Sequence, residues 1–181
     1  MKYRWLIWLL AAVISIPLIL GLQSLILELP VPFRNISVPL IALSLGLLIW
    51  KSGGIVWYAA VLYAVLDWYT ATPYGLVLYS GTLAMLVVVW LYRGIITNQG
   101  ILAAALVTAA LTSVFNIFYA LGRGLLSVFT DTVNFPGAAW LTTYVSQLVI
   151  TVLAAVVVYL ILARLIPRLK VTHTRQVGFY D

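Results

Sequence analysis

Uninterrupted apolar runs dominate the chain, and no other feature limits its fold so strongly. They cover residues 5–27, 36–50, 55–69, 74–92, 95–119 and 138–165. A helix needs about 20 apolar residues to cross a bilayer. Inside one, only helices and closed barrels satisfy their own backbone hydrogen bonds. These runs are continuous, whereas barrel strands alternate apolar and polar residues. The predicted class is therefore all-α: a polytopic integral membrane protein, a bundle of six transmembrane helices. Only 8% of the residues are charged, too few to coat a soluble domain.

The reading gives a six-span domain over residues 1–165 and a basic tail over 166–181. Runs 36–50 and 55–69 are short for a span. They read as thin helices, as helices tilted in a locally thinned bilayer, or as partly re-entrant segments. The first run is longer than the apolar core of a signal peptide, about 7–15 residues, and lacks a small-residue cleavage site. It predicts an uncleaved helix kinked at Pro17. Residues 122–137, "GRGLLSVFTDTVNFPG", read as the longest loop, with "LLSVF" lying in the membrane interface.

The net charge is +6, from ten basic residues, four acidic ones and a neutral histidine. With the N-terminus in the cytoplasm, Lys2, Arg4, Lys51, Arg93, Arg164, Arg168, Lys170 and Arg175 fall inside. Only Arg34 and Arg123 fall outside. This positive-inside bias predicts that both termini are cytoplasmic. The same topology puts Glu28, Asp67 and Asp131 outside. Basic residues at helix ends and in a tail contact lipid headgroups, so nucleic acid is not expected as a partner. Arg164, Arg168, Lys170 and Arg175 would each contribute about 1 kcal/mol on an anionic leaflet.

Reactive groups are scarce. The chain has no cysteine, and its one histidine, His173, lies in the tail. Neither thiol chemistry nor a histidine metal cluster is available, and no cofactor or metal is expected. An intramembrane aspartyl protease needs two carboxylates sharing a proton, but only Asp67 lies near a span. A membrane serine protease needs a base beside its serine, but His173 and Lys51 lie outside the spans.

One stretch, "LDWYTATPYGL" at 66–76, is punctuated differently from the rest. Thr72 and Pro73 form a helix-start signal, and Gly75 reads as a place for another element to approach closely. Asp67 falls in the last turn of span three, where the helix dipole disfavours negative charge. The N-terminus of span four can compensate with free N–H groups. Arg34 and Arg123 lie on the same side. Asp67 is then either a hydrated acid in an interfacial turn or a pin between the outer ends of spans three and four.

Two further patterns stand out. Ala105, Ala109, Ser113 and Asn116 mark one face of span five, read as internal packing or as a docking face for another membrane protein. Thr142, Thr143, Ser146, Gln147 and Thr151 draw a polar stripe along span six. That stripe either packs on span five or lines a solute cavity.

An Asp that closes one apolar run, a short polar gap, and a Pro-x-Gly that opens the next resemble the MreD family of bacterial rod-shape-determining proteins. The residues that carry the resemblance are Asp67, Pro73 and Gly75, within residues 58–93. It implies a non-enzymatic membrane scaffold of the cell-wall elongation machinery, in the bacterial cytoplasmic membrane. The implied partners are MreC-like and MreB-like proteins and the glycan-building enzymes, beside membrane lipids. Asp67, Pro73 and Gly75 would then be architectural. A rival reading is the substrate-binding membrane subunit of an energy-coupling-factor vitamin transporter, also small and mostly of six spans. Asp67, Arg34, Arg123 and Asn134 would gather at its outer face.

Overall fold

The computed structural model describes residues 4–50, 53–70, 75–95, 100–129 and 138–165. Among these the regular structure is entirely helical: α1 (Arg4–Leu27), α2 (Val38–Trp50), α3 (Gly54–Tyr69), α4 (Leu76–Ile95), α5 (Ile101–Phe129) and α6 (Ala138–Leu165). A 3-10 turn, Phe33–Asn35, precedes α2. Three helices, α4, α5 and α6, are long and apolar enough to cross a membrane. The other apolar stretches are shorter: α2, α3 and the Val13–Leu27 part of α1. Pro17 sits inside α1 without ending it.

Helix α2 is apolar on nearly every side, and such a helix belongs in a core. It packs against α1, α3, α5 and α6, while α3–α4, α4–α5 and α5–α6 contacts complete a ring around it. Leu40, Leu43 and Leu47 are almost wholly buried. The residues that face away from the bundle are also apolar, among them Leu18 and Leu25 of α1 and Val149, Leu153 and Val157 of α6. So broad an apolar exterior needs an apolar surrounding.

Residues 122–129 correct the sequence reading. They were expected in a loop, but α5 runs unbroken to Phe129. A glycine inside a helix costs about 1 kcal/mol. At Gly122 the small residue has a compensating role. The Leu76 side chain lies where a Cβ would stand, so α4 starts directly against α5. The helix also starts later than expected, at Ile101. The tail and the residues 130–137 lie outside the described residues, as do Asp131, Asn134, Arg168, Lys170 and Arg175.

Side-chain pairs fix the relative heights of the helices. Thr108 Oγ1 of α5 lies 2.8 Å from Ser44 Oγ of α2. The Ser37 N–H, just before α2, donates to Thr151 Oγ1 of α6 at 3.3 Å. Helix α2 therefore starts level with the middle of α6. At about 1.5 Å per residue, α6 extends about 20 Å beyond that level. By the same measure α5 also extends about 20 Å beyond it, and α4, which starts beside Gly122, about 10 Å. The central helix thus stops short at this end of the bundle, which also carries the α3–α4 turn.

Helices α3 and α4 meet most closely at Gly81. A Cβ there would fall on the ring of Tyr63, which is buried and stacks on Phe115 with centroids 5.6 Å apart. Gly81→Ala should destabilise the bundle by about 1–3 kcal/mol, the usual cost of overpacking. Thermal unfolding in detergent should show a lowered Tm for Gly81→Ala, partly restored by adding Tyr63→Leu.

Candidate functional site

The site is built where α3 ends and α4 begins. Helix α3 closes with the Thr70 N–H bonded to the Leu66 carbonyl at 3.0 Å. Asp67 lies in this last turn and is 7% exposed. A carboxylate held there needs strong donors, because burial and the α3 dipole both oppose its charge. The chain supplies them eight and ten residues later. The Gly75 N–H donates to Asp67 Oδ2, and the Val77 N–H donates to Oδ1 at 3.0 Å.

Helix starts leave their first N–H groups without intrahelical partners. A Ser, Thr, Asn or Asp at the cap normally satisfies one from within the same segment. Here the cap residue is Gly75, whose carbonyl accepts the Tyr79 N–H at 2.8 Å. Glycine has no side chain to offer, so Asp67 of the preceding helix does the capping from outside. Both of its oxygens are used. The negative charge also lies at the favourable end of the α4 dipole.

Gly75 has a φ of +87°, a region that costs an L-residue with a Cβ about 1–2 kcal/mol. The space where its Cβ would stand is open. Its requirement is thus backbone conformation, and the close approach expected from the sequence is found instead at Gly81 and Gly122. Pro73, the third residue of the pattern, lies outside the described residues, as does Thr72.

The other sequence candidates fall as follows. Asn116 is buried, while Ala105, Ala109 and Ser113 are half-buried. The most buried α5 face lies one residue back, at Ala104, Thr108 and Thr112. Ser113 accepts a hydrogen bond from the Tyr144 hydroxyl at 3.0 Å. Asn116 Nδ2 donates to the Thr112 carbonyl at 2.8 Å and to Gln147 Oε1 at 3.2 Å. Ser113 and Asn116 thus join α5 to α6. Ser146 accepts from Asn35 Nδ2 at 2.9 Å, so the polar stripe of α6 serves both α5 and the turn before α2. Arg164 ends α6 and is exposed, and Arg34 is exposed on the 3-10 turn.

Gln23 is a residue that the sequence reading missed. Its Oε1 accepts the Val38 N–H at 2.8 Å and its Nε2 donates to the Ile36 carbonyl at 3.3 Å. It holds the start of α2 as Asp67 holds the start of α4. A polar side chain within the apolar run of span one was the available signal.

Between α1 and α3 lies a groove of about 870 Å³, lined mainly by apolar residues such as Val13, Pro17, Leu20 and Val65. Its polar members Gln23, Ser24 and Thr70 are bonded within the protein. Among the described residues no cluster of His, Cys, Asp or Glu is arranged to hold a metal ion. Comparison of the chain with protein-family models, curated proteins and solved structures found no match.

Asp67→Ala should leave two α4 N–H groups without their acceptor. Each buried orphan costs about 1–3 kcal/mol, so the variant should melt well below the parent. Asp67→Asn keeps one carbonyl acceptor and should melt between the two. Hydrogen exchange at Gly75 and Val77 would check this directly, with the amides losing protection in the order parent, Asn, Ala. Gly75→Ala should cost about 1–2 kcal/mol through its backbone alone.

Proposed function

We propose that this protein is a non-enzymatic membrane scaffold, MreD-like, which helps to organise cell-wall elongation in a bacterial cytoplasmic membrane. The observation that carries the reading is the use made of Asp67. Both oxygens of its carboxylate accept backbone N–H groups, so the acid works as a joint between α3 and α4. Asp67 and Gly75 are two of the three residues behind the MreD resemblance, and each has an architectural reason to be what it is. The α3–α4 pair is further closed by Tyr63 on Gly81.

In this proposal all six helices cross the membrane, with both termini in the cytoplasm. The joint then lies at the outer face. The basic residues Arg164, Arg168, Lys170 and Arg175 lie against the anionic inner leaflet. The mechanism is binding. Helix faces hold MreC-like, MreB-like and glycan-building partners in register, and the joint keeps the α3–α4 face in one shape for them.

The transporter-subunit reading has one observation in its favour. Gln147 and Ser146 are polar and only half-buried near the outer end of α6. The α1–α3 groove does not add to it, because its wall is mainly apolar and its polar groups are engaged.

The proposal predicts that Asp67→Asn weakens recovery of MreC-like and MreB-like partners when the tagged protein is purified from its membrane. The same variant should retain native helical content by circular dichroism. Recovery of an ATPase module instead, with thermal stabilisation by a vitamin, would replace the scaffold with the transporter subunit.

A further inference from the structure

We infer that the outer third of the bundle encloses a water-filled vestibule, floored by the start of α2 and walled by the outer halves of α5 and α6. The inference goes beyond the scaffold reading and takes from it only the six-span topology.

Burial along α6 carries the first part of the argument. On the face toward the bundle, Tyr159 and Ala155 are buried, and Thr151 is fully so. Beyond Thr151, on the same side, Gln147 and Tyr144 are only half-buried. The change comes at the height where α2 starts, since Ser37 bonds Thr151. Helix α5 repeats it. Ala104, Thr108 and Thr112 are fully buried and Asn116 nearly so, whereas Tyr119 and Arg123 are half-buried. Both helices lose their cover where the central helix ends.

The chemistry of the uncovered surface follows the same division. Below the start of α2 the core is overwhelmingly aliphatic. Above it, Ser113, Asn116, Tyr144, Ser146 and Gln147 gather on the facing sides of α5 and α6, and Asn35 reaches them from the turn.

Depth makes this arrangement consequential. Helix α4 has 20 residues and is about 30 Å long, close to the thickness of the hydrocarbon layer. The start of α2 lies about 10 Å inside the level where α4 begins. The 3-10 turn and the chain leading to it therefore run at hydrocarbon depth, with Pro32, Phe33 and Arg34 exposed. Non-helical backbone at that depth must be buried in protein or line a water-filled cavity. An exposed turn ending beside half-buried amides and hydroxyls fits the second case.

The chain has no cysteine, so single-cysteine labelling is free of background. Ser146→Cys and Gln147→Cys place a thiol on the inward side of α6. Val145→Cys and Val149→Cys place one at almost the same height on exposed apolar positions. Each variant would be reacted in membrane vesicles of both orientations with a charged, membrane-impermeant methanethiosulfonate. Ser146→Cys is nearly isosteric and guards against loss of fold, which circular dichroism would confirm. The expected result is modification at 146 and 147 at least ten-fold faster than at 145 and 149, from one side of the membrane. Equally slow reaction at all four would mean a dry outer third and overturn the inference. Equally fast reaction would mean a thinned bilayer around α6 and overturn it too. Fast inward labelling from the cytoplasmic side alone would uphold the vestibule and reverse the proposed topology.

Discussion

In an apolar surrounding a backbone N–H without a partner is expensive, and the architecture turns on how two helix starts meet that demand. Neither α4 nor α2 relies on a side chain at its own cap. Asp67 reaches from α3 to serve α4, and Gln23 reaches from α1 to serve α2, helped by Thr151 of α6. Each helix start is thereby tied to a different helix. A need that is local in soluble proteins becomes, here, a tertiary bond.

The α3–α4 pair shows what such a tie accomplishes. Asp67 and Tyr63 lie one turn apart on α3, both buried. Asp67 fixes where α4 begins, and Tyr63, lying over Gly81, fixes how closely it approaches. The pair is held in height by the first contact and in spacing by the second. A helix pair so constrained presents an unchanging outward face, whose exposed residues include Trp57, Trp68 and Trp90. That is the property a scaffold requires of the surface it offers.

Helix existence was legible from hydrophobicity alone, because continuous apolar runs leave few alternatives. The ends of α6 could be read directly. The two ends of α5 could not. Gly122 and Gly124 resemble a stop signal, and only the Leu76 contact across the bundle explains why the helix passes through. Asp67 stood out because an acid among apolar residues has to be compensated, and the adjacent helix start was a visible source. The need for Gly75 was legible as a type of residue but not as a reason, since a positive φ leaves no mark in spacing or composition. Gln23 escaped because a single amide in an apolar run is cheap to overlook. The bonds that explain it come from a turn that has no strong pattern of its own.

The central helix has a consequence for biogenesis. With 13 residues, α2 is about 20 Å long, too short to be held by lipid as a free-standing span. Its cover comes from α5 and α6, and the Thr151 hydroxyl that receives the Ser37 N–H belongs to the last helix to leave the ribosome. The core of the protein therefore cannot close during early translation. An emerging chain must keep its second hydrophobic segment sheltered, by the insertion machinery or among its first helices, until the C-terminal pair arrives to enclose it.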